Sequence, residues 1–208
     1  MNENNYIGIA LEELYRFFNE LNKKYFKNEL PIPMITIQAA KRSNLLGWFT
    51  LDKVWCSNNE ELDKKYEINI SAEHLNKSIE DIVETLQHEI VHYANKLADI
   101  KDYHGQYHTK KFKNLAEQVG LICTKSSKYG YGFTKASAEL KTFIDSIIPN
   151  TDCFIYFRTF NSIKKETSER KKILFKYTCE SCETMAKAKK DTLLICGNCR
   201  NEMIIEEE

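Results

Sequence analysis

The stretch Thr85-Leu86-Gln87-His88-Glu89-Ile90-Val91-His92 constrains this chain more than any other. Around it Ile79, Ile82, Val83, Leu86, Ile90, Ala94 and Leu97 recur at steps of three and four, the period of an amphipathic helix. Ser78 stands just ahead of the run with Asp81 three residues on, an arrangement like a capping box. Residues four apart on a helix share a face, so His88 and His92 can aim two imidazole nitrogens at one metal ion. Glu89 is offset by one residue, and its carboxylate can reach a water on that ion without being a ligand. Zinc suits the set. It accepts imidazole, leaves a position open to water and lowers the pKa of that water, whose proton a nearby carboxylate takes. Short H-E-x-x-H matches arise by chance, but here helix period, cap and motif agree.

A catalytic zinc needs a third protein ligand. Downstream, the candidates are His104, His108, Asp99, Asp102 and Glu117. His108 is the best placed, because it precedes Phe112 by four residues and shares that residue's inward face on the next helix. His104 lies in a loop beside Gly105 and is freer to point outward. A set of His88, His92 and Glu117 is geometrically possible but has no second motif behind it. His74, ahead of the motif helix, reads as a surface or satisfied histidine.

Seven cysteines are present, and four fall in two C-x-x-C pairs, Cys179/Cys182 and Cys196/Cys199, with 13 residues between the pairs. Each pair can make a tight turn that aims two thiolates at one ion, and four thiolates close a tetrahedral structural zinc site. Lys176-Tyr177-Thr178 and Leu193-Leu194-Ile195 are expected to supply the strands of this ribbon. So small a module has little core and depends on metal to fold. Cys56, Cys123 and Cys153 read as isolated thiols. This usage fits a reducing compartment better than a disulfide framework. The polar N-terminus shows no secretory signal and no stretch is apolar enough to span a bilayer, so a cytoplasmic, nucleoid or nuclear protein is expected, not a secreted one.

The chain is neutral overall, with 30 basic and 30 acidic residues. The charge is unevenly spread: residues 110–190 hold 17 Lys/Arg against 8 Asp/Glu. A basic C-terminal half is a pointer to a polyanion, though solvated surface lysines give the same count.

A first helix is expected from about Ile7 to Phe26, where Leu11, Leu14, Phe18, Leu21 and Tyr25 make a wide apolar face. Asn28 and Leu30-Pro31-Ile32-Pro33 end it. Met34 to Ala39, Leu46 to Thr50, Val54 to Cys56 and Tyr66 to Ile70 read as strands of a small, mainly antiparallel sheet. Past the motif helix come a polar connection from Asp99 to Tyr107 and a helix with Phe112, Leu115, Ala116 and Val119, ended by Gly120. Tyr129-Gly130-Tyr131-Gly132-Phe133 offers aromatic faces that unpaired bases could stack on, but it reads more readily as a loop. Phe154 to Phe157 and Ile173 to Tyr177 look like strands, with a charged turn from Lys164 to Lys172.

Taken together, Ser43 with Gly47-Trp48-Phe49, Ile68-Asn69-Ile70, the run from Thr85 to His92, and Tyr107-His108-Thr109-Lys110-Lys111-Phe112 leading to Glu117 and Gly120-Leu121 resemble the SprT-like family of Spartan-type zinc metalloproteases. The likeness runs from the first helix to the C-terminal cysteines. It implies an α+β zincin-like metalloprotease domain, with helices on a small sheet and the motif on a central helix. A small β zinc ribbon follows. The expected division is residues 1–150 for the protease domain and 151–208 for a basic β region with the ribbon. The resemblance puts His88, His92 and His108 in the catalytic zinc positions and Glu89 in the position of the catalytic glutamate. It makes Cys179, Cys182, Cys196 and Cys199 the ligands of a second, structural zinc. Thr109 stands where the family often has Gly or Asn, a departure at a position that is not a ligand.

The resemblance further implies an endopeptidase acting on DNA-bound proteins, with cleavage of DNA–protein crosslinks as its role. Single-stranded or crosslinked DNA is then the expected partner, with no membrane. The alternative from another class is a nucleic-acid-binding zinc protein without turnover, against which an intact Glu89 speaks.

Overall fold

The computed structural model describes residues 5–147, 153–160 and 174–205. The chain divides into two compact units, Met1–Phe160 and Asn161–Glu208. The first mixes helices with small sheets and the second, among the described residues, holds only strands and turns, so the chain is α+β with a small β unit as expected.

The first unit begins with helix α1 (Tyr6–Phe26), capped by the Asn5 side chain, which accepts from the Gly8 N–H. Its turn of exit is left-handed at Lys27 and Asn28. Leu14, Phe17, Phe18 and Leu21 on α1 are fully buried. They join one apolar cluster with Ile68 and Ile70 of strand β3 (Glu67–Ser71) and with Ile82, Val83, Leu86, Ile90 and Val91 of helix α2 (Ile79–Leu97). Burying such side chains is the main force holding the unit together, at about 25 cal/mol for each Å² of apolar surface.

Strands β1 (Met34–Gln38) and β2 (Gly47–Phe49) flank β3. The β2 pairing is antiparallel, but β1 pairs with β3 in parallel, Met34 opposite Glu67. The sheet is thus mixed, not mainly antiparallel. The return from β1 to β3 carries β2, so both outer strands meet the same apolar central strand. Val54–Cys56 does not form a strand. Trp55 makes one isolated bridge to Lys65, and its indole N–H donates to Glu67.

After α2 the connection folds into two two-residue strands, β4 (Tyr103–His104) and β5 (Tyr107–His108), around Gly105. Helix α3 (Lys110–Gln118) follows, capped by Thr109. The segment read as a loop, Lys125 to Phe133, instead joins β6 (Leu121–Ser126) to β7 (Gly130–Ala136) in an antiparallel hairpin. The resulting sheet has the order β4-β5-β7-β6. Helix α4 (Ala138–Ser146), which the sequence reading did not anticipate, seals Leu140 and Ile144 into the core.

Residues 153–160 hold no strand. Cys153 and Phe154 are buried in the first unit's core, and the Arg158 N–H donates to the Ala72 carbonyl. The compact unit therefore runs ten residues beyond the division expected at 150. The charged turn from Lys164 to Lys172 lies outside the described residues.

The second unit has strands β8 (Phe175–Thr178), β9 (Met185–Ala188) and β10 (Ile204–Ile205) in the order β10-β8-β9. Leu193–Ile195 does not form a strand: Ile195 makes only an isolated bridge to Glu202, because this stretch leads straight into the second cysteine turn. No helix among the described residues is long and apolar enough to cross a membrane.

Candidate metal centre

Helix α2 is rigid where the chemistry needs it. The Ser78 hydroxyl oxygen accepts from the Asp81 N–H, and the hydroxyl donates to the Asp81 carboxylate, as the capping pattern predicts. Apolar residues bury most of the helix, which leaves His88 and His92 on the one face that looks into a cleft of about 640 Å³. Leu46, Trp48, Phe49 and Phe133 contribute apolar wall, and Glu84 and Lys135 a charged end.

His108 arrives from β5. Its Nε2 lies 3.2 Å from Nε2 of His88 and 3.0 Å from Nε2 of His92. His104, on β4, is exposed and takes no part in this group. Asp99 and Glu117 are also outside it. Asp102 lies behind it: its carboxylate oxygen is 2.9 Å from His92 Nδ1 and accepts a second bond from Asn95 Nδ2 at 2.9 Å. A carboxylate only accepts, so His92 carries its proton on Nδ1 and turns a bare Nε2 toward the other rings. Nδ1 of His88 is 3.2 Å from the Thr134 hydroxyl oxygen.

Phe112 is the floor of the site. Its buried ring sits 4.7 Å, centre to centre, from each of the three imidazoles. His108 does not share a helix face with Phe112 as the spacing suggested: it lies on β5, ahead of the Thr109 cap of α3, and meets the Phe112 ring from the strand.

The glycines of the Tyr-Gly-Tyr-Gly-Phe stretch make room for His108. A Cβ on Gly132 would stand 2.6 Å from His108 Nδ1, and one on Gly130 only 2.1 Å from the His108 carbonyl oxygen. Gly130 also has φ +59°, which other residues seldom adopt. On the side of Gly132, backbone alone walls this ring. His108 Nδ1 is buried without a hydrogen bond of good geometry. The carbonyls of Gln106 and Tyr129 favour a proton on the ring but do not complete that bond.

Burial is the first cause of the electrostatics here. It depresses His88 well below the usual histidine value, helped by His92 and His108, and it brings His108 down to about 4. His88 and His108 are thus held neutral, with lone pairs available. Three imidazole nitrogens converge here on one point, a donor set that fits a metal that takes imidazole. Glu89 is buried beside them. Burial lifts its carboxyl to about 7, opposed by His92 and by the Phe49 backbone N–H that it accepts.

The second unit brings its four cysteines together, with all four sulfurs within 4.8 Å of one another. The two turns are built alike. The N–H of Glu183 donates to the Cys179 carbonyl and that of Arg200 to the Cys196 carbonyl, each at 2.8 Å. Both residues are left-handed, at φ 57°. Hydrogen bonds with Thr184 hold the Cys182 thiol down, to about 6, while sharing with Cys182 pushes Cys199 up to about 12. Four thiolates cannot all stay ionised at this spacing without a cation, which is the demand of a four-cysteine zinc site.

Sequence reasoning did not identify Thr134 or the floor role of Phe112, and it weighed Asp102 only as a ligand. Thr134 carries no local signal, since it is 46 residues from the histidine it touches. A sequence model of the SprT-like family matches residues 14–130, more than half of the chain. No curated protein and no solved structure matches it.

Proposed function

The chain belongs to the SprT-like family, and from that premise we propose that it is a zinc-dependent endopeptidase acting on DNA-associated proteins, with DNA–protein crosslink proteolysis as its role. The observation that carries the reading is the meeting of His88, His92 and His108 at their Nε2 atoms, beside a buried carboxylate on the same helix. His88, His92 and His108 would hold the catalytic zinc in a zincin-like arrangement. Zinc there supplies Lewis-acid activation of water and of the scissile carbonyl.

The rest is done by the chain itself. Asp102, Thr134 and Phe112 keep the imidazoles aimed. Glu89, held by the Phe49 N–H, accepts the proton of the attacking water on its carboxylate and returns it to the departing amine nitrogen. The apolar walls around Trp48 and Phe133 receive the substrate chain and exclude water. Cys179, Cys182, Cys196 and Cys199 would hold a second, structural zinc on which the small unit's fold depends.

The DNA partner is supported by charge. Lys187, Lys189 and Lys190 give the cysteine unit an exposed basic edge, and Lys125 and Lys128 are exposed on the β6–β7 hairpin. Binding carried by such residues weakens steeply as salt rises.

Glu89→Gln tests the mechanism. It is expected to keep metal and DNA binding but abolish cleavage of a DNA-bound protein. Unchanged cleavage ends the peptidase reading. Absent cleavage in the parent protein, with DNA binding intact, leaves a nucleic-acid-binding zinc protein without turnover.

A further inference from the structure

We propose that Asp102 is a positioning residue that couples two of the three metal-binding histidines, setting the tautomer of His92 with its carboxylate and the place of His108 with its backbone. The inference rests on the metal reading of the histidine cluster but not on proteolysis.

Three observations meet at this residue. Its side chain is 3 % exposed, so its carboxylate has given up water and must be satisfied by the protein. It is satisfied by two donors, His92 Nδ1 and Asn95 Nδ2, both at 2.9 Å on one oxygen. Asn95 lies three residues after His92 on α2, so the same helix face presents the ligand and the amide that steadies its partner. The backbone carbonyl of Asp102 accepts from the Thr109 N–H at 2.8 Å and from the Thr109 hydroxyl at 3.0 Å. Thr109 directly follows His108 and caps α3. One residue therefore fastens the loop that delivers His108 to the helix that carries His88 and His92.

The chemistry gives the carboxylate a role beyond holding the loop. With an anion at Nδ1–H, the imidazole of His92 is locked with Nε2 unprotonated and becomes a stronger electron donor through that atom. The other two rings lack such a partner: Nδ1 of His88 meets a neutral hydroxyl, and Nδ1 of His108 has no well-formed hydrogen bond among the described residues. His92 is thus the strongest donor of the set, and its strength comes from Asp102.

The test reads metal directly, on the full-length protein. Zn²⁺ affinity is measured by competition with a chromophoric chelator. Co²⁺ loading gives a visible spectrum whose ligand-field bands belong to the histidine site and whose sulfur charge-transfer bands belong to the cysteines. Asp102→Asn keeps the volume and the backbone carbonyl but removes the anion. It is expected to weaken metal binding at the histidine site by about 10- to 100-fold and to shift the Co²⁺ ligand-field bands, leaving the sulfur bands alone. Asn95→Ala, which keeps the charge and removes one of its two anchors, is expected to weaken binding in the same direction by less. A merely structural Asp102 gives the opposite pattern: a lower melting temperature for the metal-free protein with affinity and spectrum unchanged. Parental affinity and bands in Asp102→Asn overturn the proposal. If that variant does not fold, parental affinity in Asn95→Ala overturns it instead. Absence of metal at the histidines of the parent protein removes both this inference and the metal reading beneath it, whereas loss of proteolysis alone touches neither.

Discussion

The two candidate metal centres of this chain are built by opposite means. The histidine site sits on a helix inside a large core, with Leu86, Ile90 and Phe112 fully buried around it. The cysteine site has two hydrogen-bonded turns and a cluster whose buried members are Tyr177, Cys179, Cys196 and Met203. Two of those four are themselves candidate metal ligands. In the first unit a large core positions the candidate site. In the second the candidate site itself supplies half of the buried cluster. The difference follows from ligand geometry. A site that must leave a position for substrate needs its donors held from behind, by Asp102, Thr134 and Phe112. A site of four thiolates holds itself once the ion is present.

The largest expected effect is therefore chelation. Stripping metal should unfold the second unit entirely while the first keeps its core, seen as loss of amide-exchange protection confined to residues 174–205. Protection that persists there without metal breaks the comparison. Next comes Phe112→Ala, which removes the common floor under three rings. It should cost about 3–5 kcal/mol of unfolding free energy and lower histidine-site affinity, with no change in cobalt–sulfur absorption. A cost below about 1 kcal/mol would show that the floor collapses inward without loss.

Gly132→Ala is smaller. A methyl group there meets His108 Nδ1, and crowding of this kind costs about 1–3 kcal/mol, read by denaturant titration alongside metal affinity. The smallest effect concerns acid. Burial depresses His88 and His108, so protons compete for their nitrogens only below the ordinary histidine value. Ion release from the histidine site in an acid titration should accordingly have its midpoint below about 6.5. A midpoint above that value would mean that the rings are not desolvated as the cleft implies.

What could be read beforehand follows the range of the interaction involved. Helix α2, its Ser78 cap and its two histidines are local, and the periodicity of Ile82, Val83, Leu86 and Ile90 carries them. The cysteine turns are equally local. The parallel pairing of β1 with β3 was missed because the two strands lie about thirty residues apart in sequence and meet through the core they share, Ile35 with Ile68 and Ile70, which no alternation pattern states. The β6–β7 hairpin was read as a loop because two glycines interrupt it, and those glycines exist for His108. Leu193–Ile195 looked like a strand because it is apolar, yet Leu193 and Ile195 are exposed at 68% and 62%. Thr134 could not be named at all, since nothing near it in sequence marks it as a neighbour of His88.

The connection between His92 and His108 ends in a hairpin of two-residue strands, fastened to α2 through Asp102 and to the β6–β7 hairpin through the His108 N–H. An ion bound by both histidines closes that stretch as a cross-link does, so the entropy of a free loop is removed once and shared between binding and folding. On the proposed reading the metal would be a staple as well as a reagent. A protein emptied of it loses grip first on the one ligand that α2 does not carry, and an ion returning to the two helical histidines restores the site by capturing the third.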